Sequence, residues 1–335
     1  MGLGHVQRSL PIIRLLLDAG AALTVLSHGR ALTLLQQELA GHTEIGFLSF
    51  EDYPPLQRGR GIAHYFYYPL DLLTIAVQMR KEKQYLRRLQ QQQSIDMVFA
   101  DGRFGFVDKS LPCFCICHQI SFILPRWLRL FQFFADVGQL LILRKFTRVI
   151  VSDFADPSIN LAGRLSHNWV ARWLQPIYIG FLSSLRRSES PPKKTLDLLF
   201  LIGGFIEAER RGFIAWACDI LPRMNASVVL VTGDDQQADQ ISSTVTGFEL
   251  KGQVHGQERA VLMQSARTLV GRTGYTTIMD CCEVGLSALL LPTKNMTEQE
   301  YLARRIMDWQ HQPAVKLPET ADGPWVCLDG AAMHP

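Results

Sequence analysis

The stretch from Gly271 to Leu302 most constrains what this chain can fold into. Gly271-Arg272-Thr273-Gly274-Tyr275-Thr276-Thr277 leads into a helix that ends near Gly285, a strand closes at Pro292, and Glu298-Gln299 follow. Strand and helix alternating in this way argue for a parallel sheet with helical crossovers. A glycine turn that feeds straight into a helix aims several backbone N–H groups, and the positive end of the helix dipole, at whatever lies above the turn. A diphosphate suits that place. Asp280 lies one to two turns into the helix, where a carboxylate accepts hydrogen bonds from the two hydroxyls of a ribose beside the phosphates.

These residues resemble the C-terminal signature of the GT-B glycosyltransferases, in particular the branch containing the lipid-linked N-acetylglucosaminyltransferase of peptidoglycan synthesis. That signature has a Ser/Gly-Arg-Ser/Thr-Gly turn, a helix with a ribose-binding acid, a Leu/Val-Pro strand end and an acidic residue followed by Gln. Here it reads Gly271-Arg272-Thr273-Gly274, Asp280, Leu289-Leu290-Leu291-Pro292 and Glu298-Gln299. The family also opens with a Gly-x-Gly-His loop before a helix, and this chain opens with Gly2-Leu3-Gly4-His5. A lone Gly-x-Gly is a weak signal, but two motifs at opposite ends agree. The resemblance is strongest over the last third of the chain. It implies an α/β fold of two Rossmann-like, doubly wound domains facing across a cleft. It also implies a uridine diphosphate sugar as donor and inversion at the anomeric carbon; a carbohydrate or lipid-linked hydroxyl acceptor is the expected partner, and with backbone amides to hold the diphosphate no cofactor or metal is expected. A family member has about six apolar residues before the first glycine loop, and this sequence begins at the loop.

Size and composition agree with two domains. At 335 residues the chain exceeds the roughly 250–300 residues of a single core. A net charge of +3, with spread basic residues, excludes nucleic acid as the expected partner. Seven cysteines without a framework pattern fit a reduced, cytoplasmic compartment, with the inner face of the plasma membrane as an extension of that reading. The N-terminus lacks the basic and apolar regions of a signal peptide, and no uncharged apolar run reaches the ~18 residues of a membrane span.

Apolar runs alternate with helical patterns nearly throughout. Residues 178–194 are rich in Ser, Gly and Pro and read as the linker between an acceptor-binding domain, 1–182, and a nucleotide-sugar-binding domain, 193–335. Pro11 is expected only near the first turn of the opening helix. The segment 122–149 mixes bulky apolar residues with Arg126, Arg129, Arg144, Lys145 and Arg148. It reads either as core with snorkelling arginines or as a surface resting on a membrane.

Sugar transfer needs a base for the acceptor hydroxyl and a means of holding the charge that grows on the departing diphosphate. For the second task the amides of Gly274, Tyr275 and Thr276, with Arg272, Thr273 and the Gly203-Gly204 turn, are pre-set donors. Asp280, Glu298 and Gln299 complete the donor side by resemblance. Asp280 is one methylene shorter than the usual glutamate, and Glu283 on the same helix is its fallback. For the first task His5 and Asp101 are rivals. A helix N-terminus favours a neutral imidazole, whereas an ordinary aspartate, with a pKa of ~3.9, needs desolvation to become a good base. Gly4, Arg8, Arg103, His118 and Gln119 form the expected acceptor side, the last three following strand ends where parallel sheets place ligands. The plain alternatives are a capping histidine, a turn-forming aspartate before Gly102 and a simple strand-to-helix turn at Gly274. Cys113, Cys115 and Cys117 alternate along one strand and read as buried thiols. A nucleotide-sugar epimerase or hydrolase, and a non-catalytic nucleotide-sugar-binding subunit, are the alternative functions.

Overall fold

A computed structural model describes residues 3–53, 68–188, 192–202, 207–242, 247–294, 296–310 and 325–331. The elements run α1 (Leu3–Asp18), β1 (Leu23–Ser27), α2 (Gly29–Glu38), β2 (Ile45–Ser49), α3 (Tyr68–Gln92), β3 (Val98–Asp101), β4 (Cys113–Cys117), α4 (Gln132–Leu143), β5 (Arg148–Val151), α5 (Trp169–Leu174) and β6 (Ile177–Tyr178). They continue with β7 (Leu196–Leu201), α6 (Glu207–Ile220), β8 (Val228–Val231), α7 (Asp235–Ser242), β9 (Glu249–Lys251), α8 (Gly256–Ser265), β10 (Ala266–Arg272), α9 (Tyr275–Val284), β11 (Ser287–Leu291), α10 (Thr297–Gln310) and β12 (Val326–Leu328). Two compact units result. Unit 1 takes Gly20–Thr33 and His42–Leu182, whereas unit 2 takes Gly2–Ala19, Leu34–Gly41 and Ser183–Pro335, so α1 clusters with the C-terminal half.

Unit 2 is built on a six-stranded sheet of order β12-β11-β10-β7-β8-β9, parallel except for β12. Strands buried on both faces need continuous apolar runs, and Val228-Val229-Leu230-Val231 and Leu198-Leu199-Phe200-Leu201 supply them. Phe200, Leu230, Val270 and Leu291 meet Phe213, Ile214 and Ala217 of α6 in the core. Read outward from its first strand, the order is that of a dinucleotide-binding sheet, with the reversal between β7 and β10. Gly271 is obligatory at this reversal, because a Cβ there would lie 2.9 Å from the Leu201 carbonyl oxygen.

In unit 1 the strands form two sheets where a single sheet is expected. One is the parallel pair β1-β2, and the other is β3-β4-β5-β6, parallel throughout. In the doubly wound order the strand before the first glycine loop pairs between β1 and β3. No such strand occurs among the described residues, and the sheet is divided at that place. Leu26 and Phe50 still pack on the core of Cys115, Val149, Val151 and Leu86, so one apolar interior serves both sheets.

Helix α1 continues through Pro11, which therefore lies well beyond the first turn. An interior proline removes one helical hydrogen bond and costs ~3 kcal/mol. Burial of Val6 and Leu10 on one face of α1 offsets part of that cost.

Candidate active site

The carboxyl ends of β7 and β10 flank the reversal of strand order, the place where open α/β sheets hold their ligands. Beyond β10 the chain turns at Thr273 and Gly274 into α9. The turn is fixed by Thr273 N–H donating to the Leu291 carbonyl at 3.2 Å and Gly274 N–H donating to the Arg272 carbonyl at 2.8 Å. Gly274 occupies the N-cap with extended φ and ψ and gives α9 no side-chain cap. The opening amides of a helix have no intrahelical acceptor, so Thr276 and Thr277 present donors at an uncapped positive end, whereas the Gly274 amide, expected among these donors, is already given to the Arg272 carbonyl. The Thr273 hydroxyl beside them is fully buried and has no hydrogen-bond partner among the described residues. An orphaned buried hydroxyl costs about 1–3 kcal/mol, and an anion seated on the turn removes that cost.

The N-terminal motif comes to the same turn. A Cβ on Gly4 would lie 2.7 Å from Thr276 Oγ1, so α1 passes close to the start of α9 and a larger residue at position 4 would have to turn the Thr276 side chain aside. His5 and Arg8 follow on α1, with Arg8 Nη2 3.1 Å from His5 Nδ1. A guanidinium only donates, so His5 Nδ1 is the acceptor in this contact and a neutral ring carries its proton on Nε2. In that tautomer Nε2 donates and has no lone pair with which to take a proton. Arg8 is buried. Gly2, Gly203 and Gly204 lie outside the described residues.

The other donor-side residues occupy more structural positions than their motif implies. Arg272 is buried, with Nη2 3.3 Å from the Glu209 carbonyl and 3.5 Å from Glu209 Oε2, and its guanidinium lies 4.9 Å from the centroid of Phe213. It ties the end of β10 to α6. Asp280 is 0% exposed, and both oxygens are engaged. Oδ1 accepts from Ser183 Oγ at 2.5 Å, and Oδ2 pairs with Arg259 Nη2 at 2.5 Å. Gln299 Oε1 accepts from the Thr293 amide at 2.8 Å and so closes the loop after β11, with Glu298 beside it in the first turn of α10.

The remaining expected residues belong to unit 1. Asp101 ends β3 and precedes Gly102, whose φ of +65° suits the turn that follows. His118 and Gln119 are half-buried just after β4. Arg103 is held inside a network. Its guanidinium pairs with Asp52 at 2.9 Å and Glu82 at 3.1 Å, donates to the Glu51 carbonyl at 2.6 Å, and lies over the rings of Phe50, Tyr53 and Phe106. Burial pushes the Glu82 carboxyl up, against the opposing pull of Arg103 and of the Gly105 amide. Asp153, after β5, is fully buried and accepts from the amides of Phe154, Leu161 and Ala162, shaping the loop that follows, and burial pushes its carboxyl up as well.

Sequence reasoning missed Ser183, Arg259 and Glu82. Glu82 was open to detection, since Gln78, Glu82, Leu86 and Leu89 recur at helical spacing on one buried stripe of α3. Ser183 was not, because its partner is 97 residues away.

No protein-family model matches the sequence, and no curated protein matches it. Among solved structures, the spinosyn rhamnosyltransferase SpnG is similar over 91% of this chain and 82% of its own, with a TM-score of 0.63 at 10% identity. SpnG in complex with thymidine diphosphate gives 0.62 at 11% identity over the same shares, 91% and 82%. UGT89C1 of Arabidopsis thaliana, in complex with UDP-L-rhamnose, is similar over 97% of this chain and 84% of its own, with a TM-score of 0.58 at 14% identity. Two Rossmann-like units, the parallel sheets and these likenesses together give the chain the GT-B fold of solved glycosyltransferases.

Proposed function

We propose that the protein is a glycosyltransferase that moves a hexose or N-acetylhexosamine from a uridine diphosphate sugar to an acceptor hydroxyl, with inversion and without a metal ion. The observation that carries this reading is the uncapped start of α9, with the orphaned Thr273 hydroxyl, at the strand reversal of unit 2. An anion is what such a place binds best. SpnG with thymidine diphosphate and UGT89C1 with UDP-L-rhamnose both carry pyrimidine diphosphates, which supports the choice of nucleotide.

In this reading the acceptor oxygen attacks the anomeric carbon while a base takes its proton. The bond from that carbon to the β-phosphate oxygen breaks, and the diphosphate leaves with the electron pair. The amide of Thr276 and the Thr273 hydroxyl hold the charge that develops there. His5, with its Nδ1 turned to Arg8, donates from Nε2 to the diphosphate. Asp101 acts as the base. Unit 2 serves the donor and unit 1 the acceptor. Titration of uridine diphosphate into the protein should release or absorb heat with an affinity at least tenfold above that of adenosine or guanosine diphosphate, a difference of ~1.4 kcal/mol. Absence of binding to a folded sample rejects the reading.

The acceptor is proposed to be lipid-linked, because one face of unit 1 is built inside out. In α4 the buried side chains are Asp136, Gln139 and Leu143, while Phe133, Phe134 and Leu141 face outward. Asp136 is satisfied inside by Ser121 Oγ, by Gln132 Nε2 at 2.8 Å and by Trp169 Nε1 at 3.0 Å. The preceding 3₁₀ turn, Arg126–Phe131, buries nothing, leaving Trp127 56% and Leu130 90% exposed. An apolar ridge flanked by Arg126 and Arg129 suits an anionic bilayer surface. Among the described residues no helix is long and apolar enough to cross a membrane. The protein should sediment with phosphatidylglycerol vesicles at low salt and dissociate as salt rises, as screening requires. Leu130→Asp together with Phe134→Asp should abolish sedimentation, and failure of the unmodified chain to sediment at low salt removes the lipid surface from the proposal.

A further inference from the structure

The Asp280 cluster contains a feature that a structural ion pair does not need. Arg259, on α8, is 7% exposed and gives Nη2 to Asp280 Oδ2, yet its Nη1 is buried with no partner among the described residues. On the other side of the carboxylate, Oδ1 is taken by a hydroxyl from Ser183, on the coil that leads out of unit 1 after Leu182. The Ser183 oxygen also accepts the Leu185 amide at 3.1 Å, so one hydroxyl both donates and accepts. Each hydroxyl of a ribose has that same capacity.

We infer that Ser183 stands in for a ribose hydroxyl: the cis-diol of a bound nucleotide displaces it, one hydroxyl donating to Asp280 Oδ1 and the other accepting from Arg259 Nη1. This rests on the donor reading above and adds to it a competing internal ligand and a second contact. A vicinal diol is matched by an acceptor and a donor held side by side, which is what a carboxylate paired through one arm of a guanidinium offers. No side chain enters or leaves the cluster empty-handed. The exchange trades one hydroxyl for another at Oδ1 and fills the unused donor, so its net gain comes from Nη1, a charged donor that is costly to leave unmade. Turning Ser183 away also breaks its bond to the Leu185 amide. Donor binding thereby loosens the coil at residues 183–185, one of the places where the chain passes from one unit to the other.

The test uses Ser183→Ala with two ligands, uridine diphosphate and its 2′,3′-dideoxy analogue, in calorimetric titrations of the full chain. Removing the competing hydroxyl should tighten uridine diphosphate binding by about tenfold, ~1.4 kcal/mol, and leave the dideoxy analogue within twofold of its affinity for the unmodified protein. Arg259→Lys, which keeps the charge and loses Nη1, should shrink the preference of the unmodified protein for the ribonucleotide over the dideoxy analogue. In hydrogen exchange, uridine diphosphate should speed exchange of the Leu185 amide in the unmodified protein. A Ser183→Ala protein that binds both ligands as the unmodified one does, or shifts both alike, overturns the inference and leaves the donor site standing. Failure of the unmodified protein to bind uridine diphosphate removes both.

Discussion

Arg103→Ala should destabilise unit 1 by about 3–5 kcal/mol at neutral pH, the cost of leaving one partner of a buried ion pair behind. The residue left behind is Glu82, which is 0% exposed on α3. Among the described residues that hold its carboxylate, Arg103 is the only cation; the Gly105 amide, at 2.7 Å, and the Tyr53 hydroxyl, at 3.2 Å, donate without charge. The loss extends to packing, since the guanidinium lies 5.2 Å from the Phe50 ring centroid and 5.4 Å from that of Tyr53. The pH dependence identifies the cause. Burial already raises the Glu82 carboxyl above its ordinary range, and Arg103 is the largest influence that lowers it. Without Arg103 the folded-state pKa rises further above the unfolded one. A carboxyl raised in this way costs nothing below its unfolded pKa of ~4.3, costs progressively more as pH climbs from there to the folded value, and levels off above it. The deficit of the variant is therefore smallest near pH 4 and grows toward pH 7, and adding Glu82→Gln to Arg103→Ala should restore part of the loss at pH 7. Chemical unfolding followed by amide exchange of β4 and β5 measures this. A pH-independent deficit below ~1 kcal/mol would mark Arg103 as an exposed-type pair and return it to the acceptor-binding role that its place after β3 suggests.

How much of this was legible in the sequence depends on the range of the interactions. The sheet of unit 2 was readable at its centre, where a strand buried on both faces is apolar without interruption, as in Val228–Val231. The turn at Gly274 was readable because glycine and a following helix are local facts. The sheet of unit 1 was legible strand by strand but not as an assembly, since pairing between β1 and β3 depends on a strand that the described residues do not supply. Membership of α1 in unit 2 was hidden as well. It follows from the fit of Gly4 against Thr276, and residues so far apart in the chain carry no shared periodicity. Polarity left two readings open in α4, where an outward-facing apolar side and an inward-facing Asp136 give the same composition as an ordinary core helix. For Asp280, the motif identified the residue and the structure supplied its company. Ser183 and Arg259 hold both oxygens, so the acid is a guarded group in this conformation and not an open one.

Asp101→Asn should lower turnover by 10²–10⁴-fold, about 3–5 kcal/mol in the barrier, the range in which a positioned general base contributes. Asparagine keeps the size and the turn before Gly102, so the fold and the affinity for uridine diphosphate should hold within twofold. The comparison with His5 decides between the two bases. If His5 donates from Nε2 to the diphosphate, as the Arg8 contact at Nδ1 requires, then His5→Gln, which retains an N–H donor, should keep much of its turnover. His5→Ala should weaken uridine diphosphate binding and slow departure of the diphosphate. If His5 is instead the base, His5→Gln and His5→Ala should fall together by the full 10²–10⁴-fold, and Asp101→Asn should retain more than a tenth of the activity. Steady-state turnover at saturating donor and acceptor, with uridine diphosphate affinity determined separately, tells the two apart. Loss of a base reduces kcat at constant nucleotide affinity, whereas loss of a diphosphate donor reduces both.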